Sequence, residues 1–252
     1  MMWASGNAMQ CKVCTRSDMA KAHLFPRALA HDMRRSERHL HVLDRDAQEV
    51  KFSQSGLHDS ELLCAGCESK LNIGDDYAIR WIRKFERHAS PIFNGRAYEV
   101  LNPHPQRLAL FVSSVLWKCA ASQVTSKDLD LGPWEYQLRN GVFDSSGFEP
   151  SFFVARKRWL VGGKQLGSVA ILPYHAPAWG RRSYAFEIGD FLWGVKLDRR
   201  RSHAPGLFDG PLKATGNTNL IVLNLGEVEI GDDDSVLGIF AAAEAIRCAA
   251  GS

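Results

Sequence analysis

The sequence predicts an α+β protein of two domains, a small metal-organised unit over residues 8–90 and a larger α+β domain over residues 105–252. Two Cys-x-x-Cys pairs and six of the nine histidines crowd into the first unit. The interval 89–105 contains three prolines and an Asn-Gly pair, which is typical of a connection. Beyond it, helix-like segments precede strand-like segments, as in α+β folds.

The N-terminal unit is predicted to contain short strands and one long helix. Residues 22–25 and 39–43 fit short strands, and residues 26–33 fit a turn or the start of a helix. A helix is expected from Asn72, because Asp75 near its start suits the positive N-terminal end. The apolar face of this helix comprises Tyr77, Ile79, Trp81, Ile82 and Phe85.

The second domain is predicted to begin with helices and to continue with strands. Residues 105–122 form a strongly apolar helix candidate, and Pro133 opens a second helix over residues 134–141. An alanine-rich helix over residues 235–248 is expected to close the chain. The strand candidates are residues 152–161, 168–172, 184–197 and 220–229.

Composition points to an ordinary globular chain. With 252 residues and 45% hydrophobic content, it can bury a core without disulfides. Its start does not combine a basic segment with an apolar one, and no stretch reaches about 18 consecutive apolar residues, so we expect a cytoplasmic protein without membrane insertion. A net charge of +3 is compatible with nucleic-acid binding but does not indicate it alone.

Two cysteine pairs predict a structural zinc site. Cys-x-x-Cys is the spacing at which two thiolates on a tight turn reach one tetrahedral ion, and two such turns complete its coordination. Redox dithiols or two unrelated pairs are the alternatives, but two pairs in one compact segment favour zinc. The remaining Cys119 and Cys248 lie in apolar contexts and are expected to be buried. The predicted ligands are Cys11, Cys14, Cys64 and Cys67.

The residues around these pairs resemble a known family. His23-Leu24-Phe25-Pro26 follows the first pair, Leu62-Leu63 opens the second, and Glu68 directly follows it. This order resembles the zinc-containing branch of the HNH (ββα-metal) endonucleases, and more narrowly a group of uncharacterised bacterial HNH-like proteins. The resemblance covers residues 11–84, with a weaker similarity over residues 108–139.

The resemblance implies a site for phosphodiester hydrolysis. His23 matches the histidine that deprotonates the attacking water, and Asp59 falls near the asparagine that orients it. Glu68 takes the place of a histidine that binds the catalytic cation, where a carboxylate suits Mg²⁺ or Mn²⁺. Ala22 occupies the usual position of an acidic ligand, so the ion would draw its ligands from Asp59, Glu68 or nearby carboxylates. Without catalysis, His23 would be a hairpin-core residue.

Basic residues near this unit are candidates for contact with DNA or RNA. In an HNH-like unit, the elements that carry them flank the groove for a duplex, so phosphate contacts are expected. Basic runs at residues 156–158 and 199–201 are further candidates, and solvated surface charge explains all of these equally well. The nucleic-acid-binding candidates are Arg27, Lys70, Arg80 and Lys84.

The sequence therefore predicts a metal-dependent endonuclease with an HNH-like site organised by structural zinc. The alternative is a non-catalytic, zinc-stabilised module that binds nucleic acid or protein and carries a degenerate HNH site. A redox dithiol protein is a third class. In the leading interpretation, the second domain selects the target or binds a protein partner.

Overall fold

A computed structural model describes residues 9–34, 38–125, 129–144, 150–202, 208 and 219–229 of the chain. Its mixed α+β character agrees with the fold class that the sequence predicts. The helix expected over residues 235–248, which includes Cys248, lies outside the described residues. The described helices are α1 (Arg27–Arg34), α2 (Ala65–Lys70), α3 (Asn72–His88), α4 (Pro105–Ala121) and α5 (Trp134–Phe143).

Two sheets organise the strands of the described chain. The strands are β1 (Ala22–His23), β2 (Leu40–Asp44), β3 (Glu49–Ser53), β4 (His58–Asp59), β5 (Ala89–Ile92), β6 (Ala97–Val100), β7 (Ser151–Val161), β8 (Lys164–Gln165), β9 (Val169–His175), β10 (Ser183–Ile188), β11 (Phe191–Lys196) and β12 (Leu220–Glu229). Strands β1 and β4 form a small antiparallel pair, and ten strands form a large sheet in the order β3-β2-β9-β10-β11-β7-β12-β6-β5, with β8 paired to β7. The β2–β9 and β12–β7 pairs are parallel.

The interval 89–105 is not the plain connection expected from its prolines. It contains the hairpin of β5 and β6, and the Asn94-Gly95 pair lies in the turn with φ angles of 56° and 79°. Asn-Gly is a strong hairpin signal because both residues tolerate positive φ. Strand β6 then pairs with β12. Strands from both sides of the expected domain boundary therefore share one sheet, and one hydrophobic core extends from Cys11 to Val222.

The single strand expected over residues 184–197 is a hairpin. Strands β10 and β11 pair in antiparallel register, with Ile188 opposite Phe191. Gly189 has a φ of 56°, which lets the chain reverse in two residues. The sequence pattern did not predict this turn, because both strands are central and every residue in them is buried. Apolar residues therefore continue on both sides of the turn.

Helix α4 is central to the core, since 13 of its 17 residues are buried. It packs closely on α3, where a Cβ on Gly74 would lie 2.8 Å from the backbone nitrogen of Phe111. Phe111 also meets Trp193 of the sheet, with ring centroids 5.3 Å apart. None of the helices in the described part of the chain combines the length and the apolar character needed to cross a membrane.

A glycine in β11 leaves space for an aromatic ring. Gly194 lies opposite Phe153 of β7, and a Cβ built on Gly194 would lie 2.1 Å from a carbon of the Phe153 ring. Phe153 is held on its other sides by Trp179 and Phe208, with ring centroids 5.1 and 5.2 Å away. The ring therefore has little freedom to move aside.

We predict that Gly194→Ala lowers the free energy of unfolding by about 1–3 kcal/mol, because an added methyl group overpacks this contact. Chemical denaturation monitored by tryptophan fluorescence measures the change. Gly167→Ala is the matched control, since a Cβ at Gly167 meets nothing within 4 Å. Equal stability of the two variants would contradict this account of the Phe153 contact.

Candidate metal centre and the adjoining histidine site

The two cysteine pairs meet because their backbones are joined. The nitrogen of Lys12 donates to the carbonyl of Leu62 at 3.1 Å, and the nitrogen of Ala20 donates to the carbonyl of Leu63 at 2.8 Å. The second pair begins α2, where Cys64 is the N-cap residue. The 49 residues between Cys14 and Cys64 contain α1 and strands β1 to β4, so the long insert carries part of the main sheet.

The four sulfur atoms lie close enough together to share one metal ion. All lie within 4.8 Å of one another, and Cys14 Sγ is 3.6 Å from Cys64 Sγ and 3.7 Å from Cys67 Sγ. Zn–S bonds of about 2.3 Å in a tetrahedron place sulfurs about 3.8 Å apart. Cys11, Cys64 and Cys67 are buried. The four predicted ligands therefore come together and could hold a metal ion such as zinc.

Backbone amides point at the sulfurs, as in other cysteine knuckles. The nitrogens of Val13 and Cys67 each donate to a cysteine sulfur at 3.4 Å. Burial raises the pKa of the Cys11 thiol, but backbone hydrogen bonds, led by that from Cys64, outweigh burial and bring this pKa to about 7. A thiol with this pKa loses its proton readily, and the thiolate is the form that binds metal.

A guanidinium lies beside the cluster. Arg16 pairs with Asp18 through two hydrogen bonds of 2.9 Å, and a Cβ on Gly66 would lie 3.2 Å from Nη1 of Arg16. Gly66 therefore leaves room for the Arg16 side chain. The sequence alone did not show this reason for a glycine at position 66. Asp18 is the main cause of the raised pKa of Arg16, and the charges of Cys64 and Cys14 raise it further. The guanidinium therefore offsets part of the negative charge of the thiolates.

We predict that the purified, reduced protein holds one zinc ion per chain and that Cys64→Ser removes it. The variant should also melt at a lower temperature, because metal-binding free energy contributes to folding. Elemental analysis and thermal unfolding measure the two effects. The matched control is Cys119→Ser, which changes a buried cysteine outside the cluster; it should retain the zinc whatever its stability. Full zinc occupancy in Cys64→Ser would refute the assignment.

Beside the cysteines, β1 and β4 bring two histidines together. His23 lies opposite His58, and their ring centroids are 5.6 Å apart. Both side chains are partly exposed. Burial lowers the pKa of His23, and electrostatic interactions with His58, Arg27 and Lys118 lower it further. His23 is therefore neutral at physiological pH and able to accept a proton. The sequence did not assign His58 to the site. The signal available was its position directly before Asp59.

The structure also brings Glu68 to His23. Glu68 lies on α2, directly after the last cysteine, and its carboxylate accepts a hydrogen bond from the backbone nitrogen of His23. Its Oε2 atom is buried and makes no hydrogen bond to the described residues. Burial raises the pKa of Glu68, and the charge of Lys118 opposes that rise. Two of the three residues that the resemblance implies as catalytic are therefore neighbours.

Asp59, the third residue, uses its carboxylate for hydrogen bonds to residues other than His23. It lies opposite Ala22 in the β1–β4 pair, and neighbouring residues in a strand face opposite sides, so Asp59 and His58 point apart. One carboxylate oxygen accepts from the Ser122 hydroxyl at 2.8 Å and the Gln123 nitrogen at 2.9 Å, and the other accepts from the Glu61 nitrogen at 2.7 Å. These bonds fasten β4 to the end of α4.

We predict that Asp59→Asn lowers the free energy of unfolding by about 1–3 kcal/mol at pH 7, because an amide nitrogen cannot accept these bonds. Burial raises the Asp59 pKa, but the hydrogen bonds from Gln123, Glu61 and Ser122 outweigh it and lower the pKa overall. A lowered folded pKa stabilises the chain above the unfolded pKa, and this stabilisation is lost as pH falls through the folded value.

Urea denaturation at pH 7 measures this difference. The exposed side chain of Glu61 supplies the control Glu61→Gln, which should leave the stability unchanged. An Asp59→Asn variant of wild-type stability at pH 7 would show that these three bonds do not hold β4 in place.

Two further charged residues lie beneath His23. Lys118 on α4 is fully buried; its Nζ donates to the carbonyl of His23 at 2.7 Å and lies 3.7 Å from Oδ2 of Asp75. Burial raises the pKa of Asp75, and the charge of Lys118 opposes that rise. Neither residue was assigned to the site from sequence. The available signal was one lysine within the apolar segment of α4.

The candidate residues for nucleic-acid contact have different settings. Arg27 begins α1 and is exposed, and Arg80 and Lys84 are exposed on the outer face of α3. Lys70 donates to the carbonyl of Phe143 at the end of α5, at 3.4 Å. All four candidates are exposed, and Lys70 also makes this hydrogen bond within the fold.

The basic run at residues 156–158 is paired within the fold. Arg156 donates to Glu86, Lys157 donates to Glu187 at 2.8 Å, and Arg158 lies 3.6 Å from Glu227. The ion pair between Arg156 and Glu86 also lines a cavity of about 810 Å³ between α1, α3 and the β10–β11 turn. Acidic and basic side chains neutralise each other there, which does not favour contact with phosphates.

The fold and these contacts define an α+β protein with a four-cysteine cluster beside a pair of histidines. No protein-family model, curated protein or solved structure matches the chain. The candidate site is therefore interpreted from its own residues.

Proposed function

We propose that the four cysteines bind one structural Zn²⁺ and that the adjoining residues form an HNH-like nuclease site for DNA or RNA, with His23 as the base. One observation carries the proposal. Strands β1 and β4 form an antiparallel pair, with α1, β2 and β3 between them in the chain, and helix α2 follows β4. Helix α2 begins at the second cysteine pair, and its Glu68 meets the strand that carries His23.

The proposed reaction begins with the neutral imidazole of His23. His23 removes a proton from a water molecule whose oxygen attacks phosphorus, and the bond from phosphorus to the leaving oxygen breaks. The leaving oxygen takes a proton from solvent. The lowered pKa of His23 keeps the ring ready to accept a proton, and its partial exposure leaves room for a phosphate.

The residues near His23 can supply one ligand to a divalent cation. Mg²⁺ retains several waters and binds proteins through one or two carboxylates together with substrate phosphates. Glu68 Oε2, which makes no hydrogen bond to the described residues, fits that role for Mg²⁺ or Mn²⁺. Such an ion would stabilise the negative charge that develops on the phosphate. The oxygens of Asp59 are already occupied, and Ala22 offers no ligand.

Three exposed cations support contact with a nucleic-acid backbone. Arg27 lies near His23, since its charge helps to lower the His23 pKa. Arg80 and Lys84 are one helical turn apart on α3. The two helices are joined by Arg83 of α3 and Asp32 of α1, which form hydrogen bonds of 2.6 and 3.0 Å. A phosphate backbone along this surface could meet both helices.

We predict that the wild-type protein cleaves DNA or RNA and that His23→Gln lowers the rate by about 10²–10⁴-fold, the usual contribution of a general base. The assay incubates labelled DNA and RNA with the zinc-loaded protein, with and without Mg²⁺ or Mn²⁺. His88→Gln is the matched control, because His88 is exposed at the end of α3. Cleavage that persists unchanged in His23→Gln would exclude this base.

A specific observation favours a second candidate function, a zinc-stabilised module that binds nucleic acid without cleaving it. Within the described ranges, the four cysteines are the one group of three or more metal-ligating side chains whose ligand atoms lie within 4.8 Å. A cation at Glu68 would thus depend on water and the substrate for its other ligands. Under this candidate, no metal supports cleavage, yet the labelled nucleic acid still binds.

The same preparation distinguishes the two candidates. Binding measured by fluorescence anisotropy should weaken in the double variant of Arg80→Gln and Lys84→Gln under either candidate. In a plot of the logarithm of the binding constant against the logarithm of the salt concentration, the slope should also become shallower by about one for each lost phosphate contact. Cleavage that depends on His23 supports the nuclease, and binding without cleavage supports the binding module. A wild-type protein that neither binds nor cleaves DNA or RNA would refute both.

A further inference from the structure

The cavity between α1, α3 and the β10–β11 turn is separate from the cysteines and from His23, since none of them lines it. Its volume of about 810 Å³ lies within the range of about 300–1,000 Å³ that is usual for small-molecule sites. Part of its wall is apolar, because the buried side chains of Met33, Phe85 and Phe191 line it. A planar ring of the size of a nucleobase fits such a space.

Arg156 brings an incompletely satisfied charge to this cavity. Its side chain is 10% exposed and donates to Glu86, whose own side chain is 68% exposed. The Nε atom of Arg156 is buried and makes no hydrogen bond to the described residues. A buried charge is costly unless its hydrogen bonds are made, and an ion pair with an exposed partner is weak. An acceptor on a bound ligand would satisfy this donor.

A second carboxylate lies close to this guanidinium. Arg156 is opposite Phe191 in the sheet, and Asp190, directly before Phe191, also lines the cavity. Asp190 accepts from Gln165 at 3.0 Å through Oδ1. The cavity therefore combines a guanidinium donor with carboxylate acceptors, and its charges nearly balance. A neutral ring that carries both acceptors and donors matches this lining better than a charged ligand does.

The cavity adjoins the surface proposed for the nucleic-acid backbone. Arg83 lines the cavity, and its side chain is 51% exposed, so it lies at the solvent-facing edge. Residues three and four apart are neighbours on a helix surface, so Arg83 neighbours Arg80, and Arg80 neighbours Lys84. On the opposite side, Asp32 of α1 lines the cavity and accepts from Arg83. A strand held along α1 and α3 therefore passes this edge.

We infer that the cavity binds one unpaired guanine base of the nucleic acid that α1 and α3 contact. The inference rests on the proposed function in one respect, since it takes DNA or RNA as the ligand of that surface. Arginine donates to O6 and N7 of guanine, and the guanine amino group can donate to the carboxylate of Asp190 or Glu86. A base enters a cavity only when it has left the stack, so the substrate class is single-stranded or locally opened nucleic acid.

The first test is the binding of guanosine, adenosine, cytidine and uridine monophosphates to the zinc-loaded protein, measured by calorimetry. All four carry the same phosphate, so a difference among them reports the base. The guanosine nucleotide should bind about tenfold or more tightly than the pyrimidine nucleotides, and Arg156→Gln should remove this difference. Arg158→Gln is the matched control, because it removes the same charge from the same strand outside the cavity. Equal affinity of the wild type for all four nucleotides would overturn the inference.

A second variant keeps the test decisive if Arg156→Gln does not fold. Gly167 lines the cavity, and a Cβ on it would meet nothing within 4 Å, so the added side chain of Gly167→Leu has room to enter the cavity. This variant should lower the affinity for guanosine monophosphate by about tenfold or more. Gln106→Leu, on the exposed side of α4, should bind as the wild type does. Wild-type affinity in folded Gly167→Leu would overturn the inference.

Oligonucleotide binding separates this inference from the proposed function. A labelled strand with one guanine among thymines should bind about tenfold more tightly than the strand without it, and pairing that guanine in a duplex should remove the difference. If the wild type binds and cleaves neither DNA nor RNA, the proposed function fails, and loss of guanosine monophosphate binding in Gly167→Leu still supports the guanine cavity. If the strands bind equally with and without guanine, the inference alone fails.

Discussion

The convergence of two cysteine pairs, 50 residues apart between Cys14 and Cys64, is the constraint on which the site depends. Closing a loop of that length costs about 3.5 kcal/mol beyond a constant. Three backbone hydrogen bonds join the segments of the two cysteine pairs and contribute about 1 kcal/mol each. A structural zinc ion contributes about 10–16 kcal/mol in small zinc-binding peptides. A metal ion bound by the four cysteines would therefore be the term large enough to decide whether β1 lies beside α2.

The same closure ties the site to the rest of the molecule. Strand β2, from the insert between the cysteine pairs, forms a parallel pair with β9, and β1 rests on Lys118 of α4. A small unit that folded alone would not share its strands in this way. The continuous core implies that loss of a metal bound by the cysteines would disturb packing beyond them, and that changes in α4 would reach His23 through the backbone.

Local signals in the sequence were enough for the cysteine cluster and for the starts of α3 and α4, because capping, periodicity and ligand spacing act over a few residues. They were not enough for the β2–β9 pairing, which joins His41 to Val169, nor for the strands β5 and β6. Lys118 shows the same limit. Its sequence context reveals an unusual lysine, but its partners His23 and Asp75 come from other elements.

Helix α2 couples the metal centre to the histidine site. It has only six residues, too few to be stable alone, so its orientation depends on what holds its ends. Adjacent residues of a helix point about 100° apart, so when Cys67 faces the other sulfurs, Glu68 is turned toward His23. A metal at one face would thereby aim the carboxylate at the other. A zinc ion held by the four cysteines would set the geometry that any chemistry at His23 requires.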